Sequence, residues 1–420
     1  MRLRAAVDVS QTWIDNVFYS QSDTKSDSVT RIFPRLALLQ DDASGHSVFK
    51  VGGTAKRHNT FDELDGFDPF ASFDTARQFT ARLSLFADGK VEKRNKTDAV
   101  ESTNLTLYGR RPDVLYYRAN AGGRYMLSPS TALNSSFGYN QIDYSASSND
   151  RSQYADYKIY SVQASIDRGL STRDTVGLVA TVQRIALGGV DTLDSPRSDR
   201  DDDIVRLAGI WNRVWTPRLS TRVEAGARYL TTDGGQVSNL TVGEPGEPQS
   251  SFDTTPDDSF AFTGTANLQY QTLKGSLDIS LSQETRPDNG RQGSRNVSTA
   301  QLSLVRRLLK KLTFSAGANY SLSRSAGDVV QPFPLGLFPP GGCSRPGEED
   351  GDPVCLLDVE SDLDERTWQA WSEFSWQFSR RWSTFVRYDH QRYSNDLPFD
   401  QDWSANRVRV GVRWAHDLPL

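Results

Sequence analysis

The stretch Asn406–Trp414 alternates without a break. Val408, Val410, Val412 and Trp414 fall on one parity, and Arg407, Arg409, Gly411 and Arg413 on the other. Successive side chains of a β-strand point to opposite faces, so this is one apolar wall backed by one cationic wall. A soluble edge strand with its polar face in water fits that pattern as well as a membrane strand does. What separates the two is whether the pattern recurs along the chain, and how its repeats are joined.

It recurs almost throughout. Leu3, Ala5, Val7, Val9 and Trp13 share one parity against Arg4 and Asp8, and Ile32, Pro34, Leu36 and Leu38 form the next apolar face. Phe49, Val51 and Gly53 follow; a loop is expected over Phe61 to Pro69, then a strand through Phe79, Ala81, Leu83 and Leu85, a turn at Ala87-Asp88-Gly89 and a weak strand around Val91. From Val114 onward the alternation is clean, with Tyr117 to Tyr125, Leu133 to Tyr139, Tyr160 to Ile166 and Val176 to Val182 as the first four runs. Eight more such runs precede the closing stretch, which brings the expected total to about eighteen strands. Short turns such as Ser128-Pro129-Ser130, Thr216-Pro217-Arg218 and Lys274-Gly275 take turns with long polar connections. Alternating short and long connections are what an outer-membrane barrel has, with short periplasmic turns and longer extracellular loops. The expected fold is therefore all-β: one transmembrane antiparallel up-and-down β-barrel over residues 1–420, with long extracellular loops near 231–257 and 327–363 and, from the even count, both termini periplasmic.

Composition does not oppose this. Hydrophobic residues make up 37% and mean hydropathy is -0.56, and no apolar run approaches the roughly 18 residues a membrane helix needs. A barrel strand dilutes its lipid-facing residues one in two, so a low average is expected of it. A net charge of -5 argues against nucleic acid as a partner. Cys343 and Cys355 are the two cysteines and share a Pro/Gly-rich loop, which reads as a loop disulfide in an oxidising compartment or as two free thiols. No apolar signal core follows Met1, and the expectation is a mature chain whose export signal has been removed.

With the first strand running outward, Trp13 and Trp368 fall near outer strand ends, and Trp215, Trp376, Trp382 and Trp414 near periplasmic ends, all on the lipid parity. Two aromatic belts match the two interfaces of a bilayer, because the indole ring is amphipathic. The opposite parity then lines the lumen. Its candidate solute contacts are Arg82, Arg118, Arg124, Arg206, Arg222, Glu224, Arg228, Asp278, Glu373, Arg387, Arg407, Arg409 and Arg413. The arginine excess suits an anionic or polyhydroxylated solute; equally, arginine and acid can pair between neighbouring strands simply to solvate the lumen. Trp371 and Phe385, on the same parity, could stack on sugar rings or pack beneath a loop. Pairing of the first and last strands would bring Asp8 within reach of the closing arginine row.

Nothing points to an enzyme, a cofactor or a metal. Of the four histidines, His46 falls in a turn, His58 and His390 near outer strand ends, and His416 near the C-terminus, and each is expected at the surface or an interface. His390 and Asp389 are adjacent in a strand, so they point to opposite faces and cannot act as a pair. The acidic runs Asp199–Asp203 and Glu348–Asp352 lack the ligand spacing of a Ca²⁺ loop and read as solvated outer loops, or as contacts to lipopolysaccharide through divalent ions.

The run Val7-Asp-Val-Ser-Gln-Thr-Trp-Ile-Asp-Asn-Val-Phe, with Asp15-Asn16 after the first strand, followed by Asp27-Ser-Val-Thr-Arg-Ile-Phe-Pro-Arg-Leu-Ala-Leu, resembles the start of the outer-membrane β-barrel proteins encoded with exopolysaccharide systems, the β-barrel porin 2 group. The resemblance brings no catalytic residues. It implies an integral protein of a Gram-negative outer membrane that passes a secreted polysaccharide outward, with lipid, lipopolysaccharide, the polymer and periplasmic export proteins as partners. A general diffusion porin for small polar or anionic solutes, and a non-conducting scaffold, are the other two expectations.

Overall fold

The computed structural model describes residues 1–19, 24–94, 113–145, 156–188, 200–234, 259–287, 294–325, 329–334, 345–349, 352–359, 364–395 and 402–419. In chain order the strands are β1 (Arg2–Ile14), β2 (Asp27–Asp42), β3 (Gly45–His58), β4 (Gly66–Gln78), β5 (Leu83–Arg94), β6 (Asp113–Ser128), β7 (Thr131–Ser145), β8 (Tyr157–Gly169), β9 (Asp174–Leu187), β10 (Arg200–Thr216), β11 (Leu219–Gly234), β12 (Ser259–Thr272), β13 (Gly275–Pro287), β14 (Ser294–Arg307) and β15 (Leu312–Ser325). Then come three shorter strands, β16 (Val329–Pro334), β17 (Arg345–Glu349) and β18 (Asp352–Val359), before β19 (Asp364–Gln377), β20 (Trp382–Asn395) and β21 (Trp403–Pro419).

The eighteen long strands form one sheet in which each pairs antiparallel with its sequence neighbours. β15 pairs directly with β19, and β21 returns to pair with β1, from Arg2↔Pro419 to Ile14↔Arg407. A strand in hydrocarbon has no water to satisfy its N–H and C=O groups, so a spanning sheet must close and abolish its edges. Connections alternate between two to four residues at one end and six or more at the other. Both chain ends lie at the short-turn end, because Arg2 and Pro419 are partners there.

The outer face explains why the chain tolerates so much exposed carbon. Phe49, Phe73, Phe137, Val162, Phe262 and Leu281 are each exposed, as are Val408, Val410 and Val412 on the closing strand. Soluble monomers rarely expose a contiguous apolar patch above roughly 300–600 Å², and each aromatic side chain carries roughly 150–250 Å². Half-exposed rings on strand after strand exceed that limit, so hydrocarbon is the solvent this belt matches. The protein is a closed, all-β transmembrane barrel.

The strand order agrees with the sequence reading, but the fourth and fifth strands do not sit where alternation placed them. β4 begins at Gly66, inside the expected loop; the turn falls at residues 79–82, and Ala87-Asp88-Gly89 lies within β5. Two weak alternations run into each other there, and the Asp-Gly pair that looks like a turn is held in the middle of a ladder, Asp88 opposite Asn120 and Gly89 opposite Ala119. Residues 231–234 of the expected loop belong to β11. Residues 327–363 contain β16, β17 and β18, which form a separate antiparallel sheet in the order β16-β18-β17.

Two irregularities have clear causes. The β2–β3 ladder skips from Ile32↔Ala55 to Arg35↔Gly52, because Pro34 has no N–H to contribute. The β12–β13 ladder ends at Gly264↔Gln283, although β12 stays on β11 up to Ser259 and β13 stays on β14 up to Pro287. At that end Arg228 of β11 reaches past two strands to donate to Asn296 Oδ1 on β14, so the β13–β14 end has parted from β12.

Candidate functional site

The candidate site is the inner wall, and strand parity places most of it. On β19, β20, β21 and β1 the inward side chains form a charged network. Arg413 donates to both Glu373 oxygens, at 2.9 and 3.2 Å, and its guanidinium lies 4.0 Å from the Phe385 ring centre. Arg387 clasps Asp389 at 2.6 and 2.9 Å and lies 4.7 Å over the Trp371 ring. Arg407 donates to Gln391 Oε1 at 2.8 Å, and Arg409 to Thr12 Oγ1 at 3.3 Å. Asp8 is the register partner of Arg413 and lies 3.5 Å from Arg35, so the first strand meets the closing arginine row. Arg4 donates to Asp417 at 2.6 and 3.0 Å at the short-turn end.

Both inward rings lie flat on glycines. A Cβ at Gly411 would stand 2.6 Å from the Phe385 ring, and one at Gly317 would stand 2.6 Å from Trp371 Nε1. Glycine below and arginine above turn each ring into one layer of a stack. Phe385 is only 4% exposed, so its face is not available to a sugar; Trp371 is half-buried against Arg387.

Elsewhere the inward arginines also meet acids. Arg206 and Arg222 converge on Glu224, the latter at 3.7 Å, and Arg118 lies 3.7 Å from Asp88, which also accepts from Asn120 at 2.9 Å. Arg228 is buried and bonded to Asn296. Arg124 and Asp278 are placed on the inward parity of β6 and β13. Arg82 is a correction: it lies in the exposed turn 79–82 and not on a strand, for the register reason given above. A charged pair that satisfies its own groups costs less than an isolated charge, and this wall is therefore less cationic than its arginine content suggests.

Sequence reasoning missed a second wall. From β12 to β20, the inward positions align in rows across the ladder. Asn267 is opposite Ser280, Ser280 opposite Gln301, Gln301 opposite Asn319, Asn319 opposite Gln369, and Gln369 opposite Gln391. The adjacent row toward the long-loop end reads Thr265, Ser282, Thr299, Ser321 and Thr367. Six strands thus present a row of carboxamides with one serine, and five of them a hydroxyl row beside it, with no charge in either. Gln301 is exposed to the lumen, while Asn319 Oδ1 and Thr299 Oγ1 are buried atoms with no hydrogen-bond partner among the described residues. Parity alone marks these residues as inward; only the register shows that they form continuous rows.

The long-loop end of the inner wall is not uniformly polar. Val114, Ile142, Tyr157, Ile185, Ile204 and Leu230, inward residues of β6 to β11, pack into a buried apolar cluster. Across the barrel, His58 is buried and not at the surface as expected, with Nδ1 2.8 Å from Asp27 Oδ2. Asp27 Oδ1 also accepts the N–H groups of Ser28 and Thr60, at 2.8 and 3.0 Å. His46 belongs to β3 and pairs with Asp74 at 2.8 Å, and His390 Nδ1 lies 2.8 Å from Asn406 Oδ1 on the outer face. Asp15 and Asn16, on which the family resemblance rested, fasten the seam. Asp15 accepts from Asn406 N and Nδ2 at 2.7 and 2.6 Å, and Asn16 Nδ2 donates to the Ser404 carbonyl at 3.0 Å.

The six belt tryptophans lie on the outward parity. Trp13, Trp215, Trp368, Trp376 and Trp382 are each 42–52% exposed, and Trp414 is half-buried with its ring 6.5 Å from that of Trp382. The pair Cys343 and Cys355, expected as a loop disulfide or as two free thiols, lies outside the described residues, since only the backbone of Cys355 is described, on β18. Among the described residues no three His, Cys, Asp or Glu side chains gather as a metal site.

No family model matches the chain, and no curated protein matches it. Among solved structures it is similar to the open form of the ferric-catecholate import receptor Fiu of Escherichia coli K12, at 9% identity over 98% of this chain and 81% of that one, with a TM-score of 0.46. It is also similar to the siderophore receptor PirA of Pseudomonas aeruginosa, at 10% identity over 99% and 80%, TM-score 0.42. A third similar structure is OccK2 (OpdF) of Pseudomonas aeruginosa, at 10% identity over 98% of each chain, TM-score 0.44.

Proposed function

We propose that the barrel is a passage across the outer membrane for a secreted polysaccharide, and that the uncharged rows of its inner wall are the track along which the polymer moves. The observation that carries this reading is the pair of rows from β12 to β20. A carboxamide offers two donors and an acceptor, and a hydroxyl offers one donor and accepts; a sugar chain asks for that mixture. Binding along a conduit must be shared over many weak, similar contacts, so that no single site holds the solute. Rows of Asn, Gln, Ser and Thr repeated strand by strand meet that need better than a single charged constriction. The arginine–acid pairs beside them add a balanced field in which neither sign of solute is strongly trapped. The resemblance of the N-terminal run to exopolysaccharide-linked barrels supports the same reading.

Loss of the gene should abolish surface polymer while leaving small-solute uptake intact. In a chain carrying Asn267→Leu, Gln301→Leu and Asn319→Leu, secreted polymer should fall several-fold with the barrel still inserted. Normal polymer secretion in the deletion strain would instead favour a diffusion porin, to be scored by liposome swelling with small sugars. Absence of any pore in planar bilayers, together with normal secretion, would favour the scaffold.

A further inference from the structure

The short-turn end carries a feature that the lumen does not use. Four successive short connections, β10–β11, β12–β13, β14–β15 and β19–β20, each read as an apolar residue followed closely by a cation. They are Trp215 with Arg218, Leu273 with Lys274, Leu308-Leu309 with Lys310-Lys311, and Phe378 with Arg380-Arg381. Arg306 and Arg307 join the third. No acidic residue occurs in 211–222, 269–277, 304–315 or 374–385, although the chain as a whole has a net charge of -5. None of the eight side chains Arg218, Lys274, Arg306, Arg307, Lys310, Lys311, Arg380 and Arg381 meets a carboxylate among the described residues, and all are exposed. The other half of the rim is mixed in charge. Asp41 and Asp42 end β2, Asp174 follows Leu170 and Arg173 after β8, Ser128-Pro129-Ser130 carries no cation, and the β4–β5 turn, with Phe79 and Arg82, is the one apolar-cation pair there without an acid beside it in sequence.

The apolar tips are as informative as the charges. Leu273 is 92% exposed and Leu309 66%, which water does not favour. In the same sector Trp215, Trp376 and Trp382 form the belt that sits at the headgroup level of a membrane barrel. An apolar group beside a long basic side chain at that depth is the snorkelling arrangement, carbon toward the acyl chains and charge toward phosphate. A docking protein would need only the charge; the exposed leucines beside the tryptophan belt favour lipid.

We infer that the half-rim from β10 to β20 is a binding surface for anionic phospholipid headgroups of the leaflet on the short-turn side. It holds the uncharged rows of the inner wall against that leaflet, since three of the four cationic turns, β12–β13, β14–β15 and β19–β20, join strands that carry the rows. The test is lipid selectivity of the full chain reconstituted in phosphatidylcholine bilayers, read by spin-labelled phosphatidylglycerol against spin-labelled phosphatidylcholine. Basic side chains near an anionic surface contribute on the order of fivefold in affinity each before screening. The wild type should therefore prefer phosphatidylglycerol several-fold, and the preference should shrink at high salt. K310Q/K311Q/R380Q/R381Q, which removes four of the eight cations, should cut it to less than half of the wild-type value. R2Q, which removes a rim cation already paired with Asp41, and K310R/K311R should leave it unchanged. Should the quadruple variant not fold, as judged by heat-modifiable gel mobility, K274Q and K311Q singly should each reduce the preference by a smaller step. A wild-type preference of one at low salt, or a preference untouched by the variants, overturns the inference. So does an acidic protein bound through these cations by a chain without lipid preference.

Discussion

At the residue scale, the inner wall depends on a few close approaches. Phe385 and Trp371 can lie flat because Gly411 and Gly317 leave room, a Cβ at either being 2.6 Å from the ring. Gly411→Ala should destabilise the barrel by about 1–3 kcal/mol through overpacking, measured by denaturant unfolding from lipid vesicles, and Gly317→Ala should shift the Trp371 emission in the same experiment. Asp389 is 4% exposed and held by Arg387. Arg387→Ala leaves that carboxylate buried without its partner and should cost about 3–5 kcal/mol, which Asp389→Asn in the same chain should largely restore. At the seam, Asp15→Ala removes two side-chain hydrogen bonds from Asn406. About 1–2 kcal/mol should be lost, seen as a lower temperature for the shift in gel mobility of the heated barrel.

At the element scale, strands differ in what they contribute. β19, β20, β21 and β1 carry interlocked charges, so single changes there should alter selectivity. Glu373→Gln leaves Arg413 without its bidentate partner, and single-channel reversal potentials should move toward anions; charge reversal at Arg409 should move them toward cations. Unchanged selectivity in both would count against an inward row. β12 and β13 are separated above Gly264 and Gln283. If the ladder were continued, Ala261 would face Arg286. A disulfide between A261C and R286C should therefore form slowly and raise resistance to unfolding, whereas rapid formation would mean that the two ends already lie together in solution.

At the scale of the whole molecule, closure turns a chain of low mean hydropathy, -0.56, into a membrane protein. Eighteen strands, the apolar outer parity and the alternation of short with long connections were all legible in the sequence, because a period of two and turn chemistry are local properties. The seam was legible too, as Asp8 near the arginine row, because an even number of antiparallel strands must bring the first to the last. Less was legible where local signals were weak. The turn at residues 79–82 was masked by an Asp-Gly pair inside β5, and Arg82 was carried onto the wall with it. His58 looked like a surface residue because nothing local shows that Asp27, far away in sequence, will cover it. By itself, then, and outside β4 and β5, the sequence determined which side chains face lipid and which face the lumen, since parity needs no partner strand. The tertiary structure alone decided which lumen residues touch: Arg118, Arg206, Arg222, Arg387 and Arg413 became paired charges, and scattered Asn, Gln, Ser and Thr became continuous rows. Register is a relation between strands, and a slip of two residues would keep every side chain on its face while breaking every row.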